Sequence, residues 1–168
     1  PEQSRHACGL ASDVEAIHAI VSNWEVVKNL GPWPYPADLA YTINRIVGRL
    51  DIDKGIAGTV RAGDEIIGGM GIVEGDLGYA FGPSAWGKGY ATEISRRLVS
   101  YVMHCYDWPQ LTAEAYADNP ASARVLEKIG FEEIGIALVP CAARGGEVDA
   151  RKFVLTRERW DALRNTSR

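Results

Sequence analysis

The sequence lacks the features of a metal site, a disulfide framework and a membrane span. Its 168 residues include only three cysteines, Cys8, Cys105 and Cys141, which are far apart and form no CxxC pair. The three histidines are equally scattered and show no HExxH spacing. No apolar run approaches the roughly 20 residues that a membrane span needs. We therefore expect no metal and no disulfide, and a reducing, cytoplasmic location fits best.

An excess of positive charge is also missing. The formal net charge is -4, which argues against a general nucleic-acid binder, since such proteins usually present a basic face. The first ten residues lack the apolar region of a signal peptide. The chain contains 46% hydrophobic residues, and its length is sufficient to bury a core. We therefore expect one domain over residues 1–168.

Hydrophobic periodicity and turn residues predict an α/β domain of the α+β type. Ser12-Asp13-Val14-Glu15 has the pattern of a capping box, and the helix that it opens should carry Trp24 and end before Gly31-Pro32. Further helices are predicted at 37–47, 91–104, 120–129 and around 160–163, and strands at 56–61, 66–73, 77–81, 111–116, 131–141 and 148–156. This order predicts a mixed, mostly antiparallel sheet flanked by helices, with one parallel crossover around residues 91–104.

The most informative segment joins the strand at 77–81 to the next helix. Gly87 and Gly89 allow the backbone to approach an anion closely, and the helix start behind them offers free N–H groups and a partial positive charge. Lys88 adds a cation. Such a turn suits a pyrophosphate, although a glycine-rich structural turn has the same pattern.

Two common nucleotide-binding loops do not fit this segment. A Rossmann fingerprint requires a third glycine where the chain has Thr92. A Walker A loop requires Gly-Lys followed by Ser or Thr, whereas Gly89 follows Lys88 here.

Three segments in order resemble the GNAT superfamily of N-acetyltransferases, in the form of its RimJ/RimL-like branch, whose named members acetylate the N-termini of ribosomal proteins. They are the Gly78-Tyr79 strand, the loop Trp86-Gly87-Lys88-Gly89-Tyr90-Ala91-Thr92 and the helix from Asn119 to Phe131 with its Asn-x-x-Ser start. The Trp33-Pro34-Tyr35-Pro36 loop is similar as well. Residues 1–10 match poorly, so the first strand of the family is not predicted.

The resemblance implies how acetyl-CoA, the expected co-substrate, would be held. The pantetheine arm would lie in a V-shaped gap between the strands at 77–81 and 111–116, against the backbone of Tyr79, Ala80 and Phe81. An N–H of Ala80 or Phe81 would stabilise the developing oxyanion. The pyrophosphate would sit on the loop formed by Trp86, Gly87, Lys88, Gly89, Tyr90, Ala91 and Thr92. Arg124 and Lys128, one turn apart, would flank the adenosine phosphates, unless they form only a solvated helix face.

The resemblance also marks the catalytic candidates. Many family members place a tyrosine, which protonates the leaving thiolate, where this chain has Leu126. Ser122 is the expected substitute, as a hydrogen bond to the thiolate, although helix capping would explain it too. Asn119 is expected to cap the helix and to bind the pantetheine. Glu114 is the first candidate for the base, with a solvent-exposed role or a water relay as alternatives.

The acceptor side is expected to be aromatic. Its walls would be Trp24, Trp33, Tyr35 and Tyr41, which suit a peptide N-terminus, a polyamine or a drug-like amine. Similar proteins are often dimers, so a homodimer is a further expectation. The tyrosine missing at Leu126 leaves one alternative, a non-catalytic acyl-CoA-binding sensor or interaction module.

Overall fold

The computed structural model describes residues 5–7 and 11–166. Within these residues the chain forms eight strands and six α-helices. In chain order they are β1 (Arg5–Ala7), α1 (Val14–Val21), α2 (Trp24–Val27), α3 (Leu39–Val47), β2 (Arg49–Asp51), β3 (Gly55–Ala62), β4 (Glu65–Val73), β5 (Asp76–Phe81), α4 (Tyr90–Cys105), β6 (Gln110–Tyr116), α5 (Pro120–Lys128), β7 (Glu132–Cys141), β8 (Gly146–Thr156) and α6 (Arg157–Thr166).

One sheet contains six of these strands in the order β3-β4-β5-β6-β8-β7. All neighbouring pairs are antiparallel except β5 and β6. Because parallel neighbours cannot be joined by a hairpin, α4 makes the crossover between them. The prediction of a mixed, mostly antiparallel sheet flanked by helices, with one parallel crossover, is confirmed.

The two faces of the sheet carry different helices. On one face, residues of α4 and α5 such as Val102 and Leu126 share the main core with Leu77 and Phe81 of β5. On the other face α1 packs on β4, where Ile17 lies under Gly69. The sheet therefore separates the helices on one face from those on the other, and a gap between its strands would connect the two faces.

The start of the first helix differs from its prediction. The side chain of Asp13 makes no cap, and Ser12 bonds only to the Asp13 carboxylate, at 3.3 Å. The capping box is therefore wrong. Asp13 is buried and accepts hydrogen bonds at 2.7 Å from both Thr59 and Arg61 on β3. These contacts with a distant strand take the place of the predicted local cap.

The helix predicted to run through Trp24 is also interrupted. It ends at Val21, and Trp24 begins the separate four-residue α2, capped by Asn23, which accepts from the Glu25 N–H at 2.9 Å. A short strand that the sequence did not predict, β1, pairs with β2 outside the main sheet.

Candidate active site

A gap opens in the sheet between the two parallel strands. β5 and β6 are in register only at Asp76 with Thr112 and at Leu77 with Ala113. Beyond these pairs β5 continues to Phe81, still paired with β4 on its other side. The backbone from Gly78 to Phe81 therefore has an edge facing the gap, where an extended chain can pair as a strand would.

The loop between β5 and α4 has the geometry of an anion cradle. Gly87 and Gly89 have φ angles of 71° and 83°, which residues with a side chain rarely adopt, and a Cβ at either would meet nothing within 4 Å. The glycines therefore serve the backbone conformation and leave open space above it. Gly89 is the N-cap of α4 and supplies no side-chain cap for the first amides. This free helix start fits a phosphate group.

The other predicted residues of this loop lie next to the two glycines in the chain. Trp86 donates from its indole Nε1 to the Phe81 carbonyl at 2.8 Å, which ties the loop to the end of β5. Lys88 is exposed, and Tyr90, Ala91 and Thr92 form the first turn of α4. The structure thus brings all seven predicted loop residues to one turn at the end of β5.

Tyr79 and Ser122 meet beside the gap. The Tyr79 hydroxyl lies 2.8 Å from Ser122 Oγ, and it also lies 3.3 Å from the Ser122 carbonyl, to which it can donate. Burial raises the pKa of Tyr79, and the hydrogen bond with Ser122 lowers it by less. The phenol is therefore protonated near neutral pH and can act as a donor. The sequence analysis assigned Tyr79 only a backbone role, because a contact over 43 positions leaves no local signal.

The start of α5 explains why the Ser122 hydroxyl is available. Asn119 is the N-cap, and its side-chain oxygen accepts from the Ser122 N–H at 3.3 Å, so the predicted cap is confirmed. Ser122 Oγ therefore turns to Tyr79 instead of capping the helix. Leu126, one turn later, is buried in the core and brings no proton donor to the site.

Glu114 lies on the other face of β6, opposite α4 and α5. It is paired in register with Lys152 of β8, and the two side chains form an ion pair. Both are about one-third exposed. The structure thus places the candidate base just beyond the last position at which β6 pairs with β5, and its carboxylate is engaged by a lysine.

The first two helices bridge the gap on that face. Ile20 of α1 packs on Gly82 at the end of β5, where a Cβ would come within 3.2 Å of its side chain. After α2, the Lys28 carbonyl accepts from Arg144 at 2.8 Å, and Arg144 also binds Asp118 just after β6. The segment around Trp24 therefore spans from the β5 side to the β6 side.

The four predicted acceptor aromatics form two separate pairs. Trp24 and Tyr35 have ring centroids 5.0 Å apart and are 40% and 46% exposed. Trp33 and Tyr41 meet edge to face at 5.3 Å, and Trp33 packs against the buried cluster of α1 and α3. The exposed pair is therefore better placed to touch a ligand, while Trp33 has a packing role.

The basic pair on α5 is less closely tied to the site. Arg124 and Lys128 are both exposed, and Lys128 is the last residue of the helix, with its carbonyl bound by Arg96 of α4. Their contact with a phosphate stays a prediction.

Residues 5–7 and 11–166 contain neither a cluster of metal ligands nor a membrane-spanning helix. No three His, Cys, Asp or Glu side chains in these ranges come together as metal ligands. None of the helices described there is long and apolar enough to cross a bilayer. Cys141 is buried and bonds weakly to the Lys28 carbonyl at 3.6 Å, which is consistent with a packing role.

Comparison with known proteins gives a consistent result. The family profile described as "Acetyltransferase (GNAT) domain" matches residues 10–132. "Uncharacterized N-acetyltransferase YoaA" of Bacillus subtilis is 28% identical over 158 residues, which cover 88% of this chain and 89% of that protein. "Uncharacterized N-acetyltransferase p20" of Bacillus licheniformis is 26% identical over 60% of this chain and 61% of its own length.

Solved structures share the fold. A spermidine N-acetyltransferase from Vibrio cholerae, in complex with CoA and spermine, superposes with a TM-score of 0.73 at 18% identity, covering 95% of this chain and 99% of that one. An acetyltransferase (GNAT family) from Bacillus anthracis gives 0.71 at 22% identity, covering 92% and 94%.

Proposed function

This chain belongs to the GNAT acetyltransferase family and is an N-acetyltransferase, and on that premise we propose that it transfers the acetyl group of acetyl-CoA to a primary amine by direct attack in a ternary complex. The observation that carries the proposal is the gap between β5 and β6. On one face it meets the glycine loop, Tyr79 and Ser122, and on the other Glu114 and the segment around Trp24.

The donor side fits acetyl-CoA as a substrate. The open space above Gly87 and Gly89 and the uncapped start of α4 would take the pyrophosphate, and Lys88 would add a cation. The free edge of Tyr79, Ala80 and Phe81 would pair with the pantetheine amides. Asn119, at the start of α5, would bind the pantetheine. Arg124 and Lys128, further along the same helix, would bind the nucleotide phosphates.

Ser122 and Tyr79 would together serve the leaving group. When the amine nitrogen bonds to the acetyl carbon and the carbon–sulfur bond breaks, the sulfur leaves as a thiolate that needs a proton. Ser122 Oγ would donate it and take a replacement from the Tyr79 hydroxyl at 2.8 Å, and water would return a proton to the Tyr79 phenolate before the next turnover. A serine hydroxyl alone is a poor acid, so the tyrosine supplies what the family's usual residue would have provided at Leu126.

The amine must lose a proton before or during attack. Glu114 is the candidate acceptor of that proton, but one of its oxygens is engaged by Lys152. We propose that a water relays the proton from the amine towards Glu114. The ion pair would then fix the carboxylate in place.

The acceptor is proposed to rest against Trp24 and Tyr35. Their exposed rings can hold alkyl chains, and can attract ammonium groups through cation–π contact. A polyamine is one candidate class, because the Vibrio cholerae structure with a similar fold carries spermine. A peptide N-terminus is the other, because the Asn119 helix and the Trp86 loop resemble the RimJ/RimL-like branch. The free thiols of Cys105 and Cys141 fit a reducing compartment such as the cytoplasm.

A thiol-release screen tests the proposal. The purified protein is mixed with acetyl-CoA and with spermidine, with peptides beginning with Ala, Ser or Met, or with an aminoglycoside, and free CoA is measured. Amine-dependent release with at least one class is expected. Stabilisation by acetyl-CoA without release across the whole panel would instead indicate a non-catalytic acyl-CoA-binding module.

A further inference from the structure

The turn between β7 and β8 carries an arginine that contacts three other parts of the chain. Arg144 donates from Nε to the Lys28 carbonyl at 2.8 Å. Its two terminal nitrogens bind the two carboxylate oxygens of Asp118, at 2.7 and 3.1 Å. The guanidinium carbon also lies 5.3 Å from the centre of the Tyr116 ring. All three nitrogens of this side chain therefore have a partner, and its plane rests on an aromatic ring.

The first of these contacts is made to the helix that carries Trp24. Lys28 is the C-cap of α2, which has four residues, too few for a helix to be stable on its own. Val26 and Val27 are buried and hold one side of it, but apolar contact is not directional. The hydrogen bond from Arg144 is directional. It falls at the C-terminal end of the helix, where carbonyls lack a partner and a cation is favourable.

The loop after α2 is held by the same turn. Ala142 donates its backbone N–H to the Gly31 carbonyl at 2.9 Å. Gly31 lies in the chain between α2 and Tyr35, whose ring centroid is 5.0 Å from that of Trp24. The backbone that carries both exposed rings is therefore bound to the β7–β8 turn at two points, Lys28 and Gly31.

On its other side, Arg144 is bound to the chain just before α5. Asp118 directly precedes Asn119, the N-cap of α5, and Ser122 lies in the first turn of that helix. The hydrogen bonds from Arg144 lower the pKa of Asp118, so the carboxylate stays ionised and the pair persists at neutral pH. One side chain thus links the segment around Trp24 to the start of the helix that carries Ser122.

On the basis of the proposed function, we propose that Arg144 is a positioning residue for the amine. It holds the acceptor segment, residues 24–35, in place across the gap and thereby sets where the amine stands relative to the thioester. It acts through the backbone at Lys28, without contact with the amine itself. A lysine cannot replace it, because an ammonium is a point charge without the planar fork that binds a carbonyl and a carboxylate together.

Hydrogen exchange tests whether Arg144 holds the acceptor segment. The N–H groups of residues 26–30 all donate to carbonyls three or four positions back, so their exchange reports on α2. In Arg144→Lys they should exchange about tenfold faster, because the end of the helix loses a charge-assisted hydrogen bond. Exchange in β3 and β4 should stay as in the wild type. Unchanged exchange at residues 26–30, or an equal acceleration in β3 and β4, would overturn the proposal.

Arg159→Lys is the matched control for this variant. Arg159 also donates from Nε to a carbonyl, that of Gly130 at 2.7 Å, and it binds the carboxylate of Glu132 at 3.0 Å. It follows β8, whereas Arg144 precedes that strand, so the 11 residues of β8 place the two arginines roughly 30 Å apart. Arg159→Lys should leave the exchange of residues 26–30 unchanged. The same acceleration there would show that any lost arginine loosens α2, and would overturn the proposal.

Steady-state kinetics tests the effect on the amine, using the one that releases the most thiol. Arg144→Lys should raise the KM of the amine about tenfold and change the KM of acetyl-CoA by less than about twofold. Because Arg144 acts through the segment that carries Trp24, the double variant with Trp24→Ala should have nearly the same amine KM as Trp24→Ala alone. Arg159→Lys should match the wild type. Multiplied increases in the double variant, an equal rise in the KM of acetyl-CoA, or a wild-type amine KM in Arg144→Lys would overturn the proposal.

The two measurements separate this proposal from the proposed function. A wild type that releases no thiol with any amine would overturn the acetyl transfer, and with it the role towards the amine, while hydrogen exchange would still decide whether Arg144 holds the segment. A wild type that turns over, together with normal exchange and a normal amine KM in Arg144→Lys, would overturn the positioning role alone.

Discussion

The Tyr79 hydroxyl lies 2.8 Å from Ser122 Oγ, which joins the strand on one side of the gap to the helix that follows the strand on the other side. Tyr79 comes from β5, and Ser122 from the first turn of α5, where Asn119 makes the cap and leaves the serine hydroxyl for another partner. The pair therefore places two hydroxyl groups where a leaving thiolate would need a proton.

The glycine loop predicts a specific loss of donor binding. Gly89→Glu would fill the open space above the loop and repel phosphate, so the increase in melting temperature caused by acetyl-CoA should disappear. Gly63→Glu is a matched control, because Gly63 also has a positive φ, 62°, and open surroundings, but lies in the turn after β3. Thermal melting with and without acetyl-CoA measures both. An unchanged stabilisation in Gly89→Glu would show that the phosphates bind elsewhere.

The pH profile depends on Tyr79. Burial raises its pKa above the usual 10.0, so the donor form persists as pH increases to about 10. We expect kcat/KM to rise with pH as the acceptor amine loses its proton, and to show no decline below about pH 10. Initial rates between about pH 6.5 and 10, with the fold checked by circular dichroism, measure this. A decline that begins near pH 8.5 would indicate a different acid.

The exposed aromatic pair predicts an effect on the acceptor alone. Trp24→Ala should raise the KM of the amine by about tenfold, as one lost apolar contact of roughly 1.4 kcal/mol would do, and leave the KM of acetyl-CoA unchanged. Tyr101→Ala, which removes a similarly exposed ring from α4 on the opposite face, is the control. If both variants behave like the wild type, the acceptor does not rest against Trp24.

The buried Asp13 is expected to contribute to the stability of the fold and not to catalysis. Asp13→Ala leaves Arg61 and Thr59 without the carboxylate that binds both at 2.7 Å, so the free energy of unfolding should fall by about 2 kcal/mol. Ser12→Ala should change it by less than about 0.5 kcal/mol, although a true N-cap would cost about 1 kcal/mol. Urea unfolding measures both changes. A larger loss of unfolding free energy in Ser12→Ala would indicate that Ser12 does cap the helix.

Local signals predicted most of the fold and the glycine turn before α4. The glycines at 87 and 89, and Asn119 followed by Pro120, act through their own backbone, so their roles can be read over a few residues. The capping-box error concerns contacts between distant residues, whereas the break before Trp24 is a local cap by Asn23. Asp13 was read as part of a local cap because its partners lie 46 and 48 positions away.

The same limit applies to the site and to the edge strand. No pattern in the sequence pairs Tyr79 with Ser122, or shows that Lys152 would engage Glu114 from the next strand. Likewise, the sequence predicted a strand at 131–141, but only the order of strands in the sheet shows that this strand, β7, lies at an edge.

A double-mutant cycle on kcat tests the central claim most directly, using the amine that releases the most thiol. Tyr79→Phe and Ser122→Ala should each lower kcat by about 100-fold, with little change in the KM of acetyl-CoA. Because the two hydroxyls act as one relay, the double variant should be no slower than the slower single variant. Tyr101→Phe should match the wild type. Multiplied losses in the double variant, or a full kcat in either single variant, would contradict the relay.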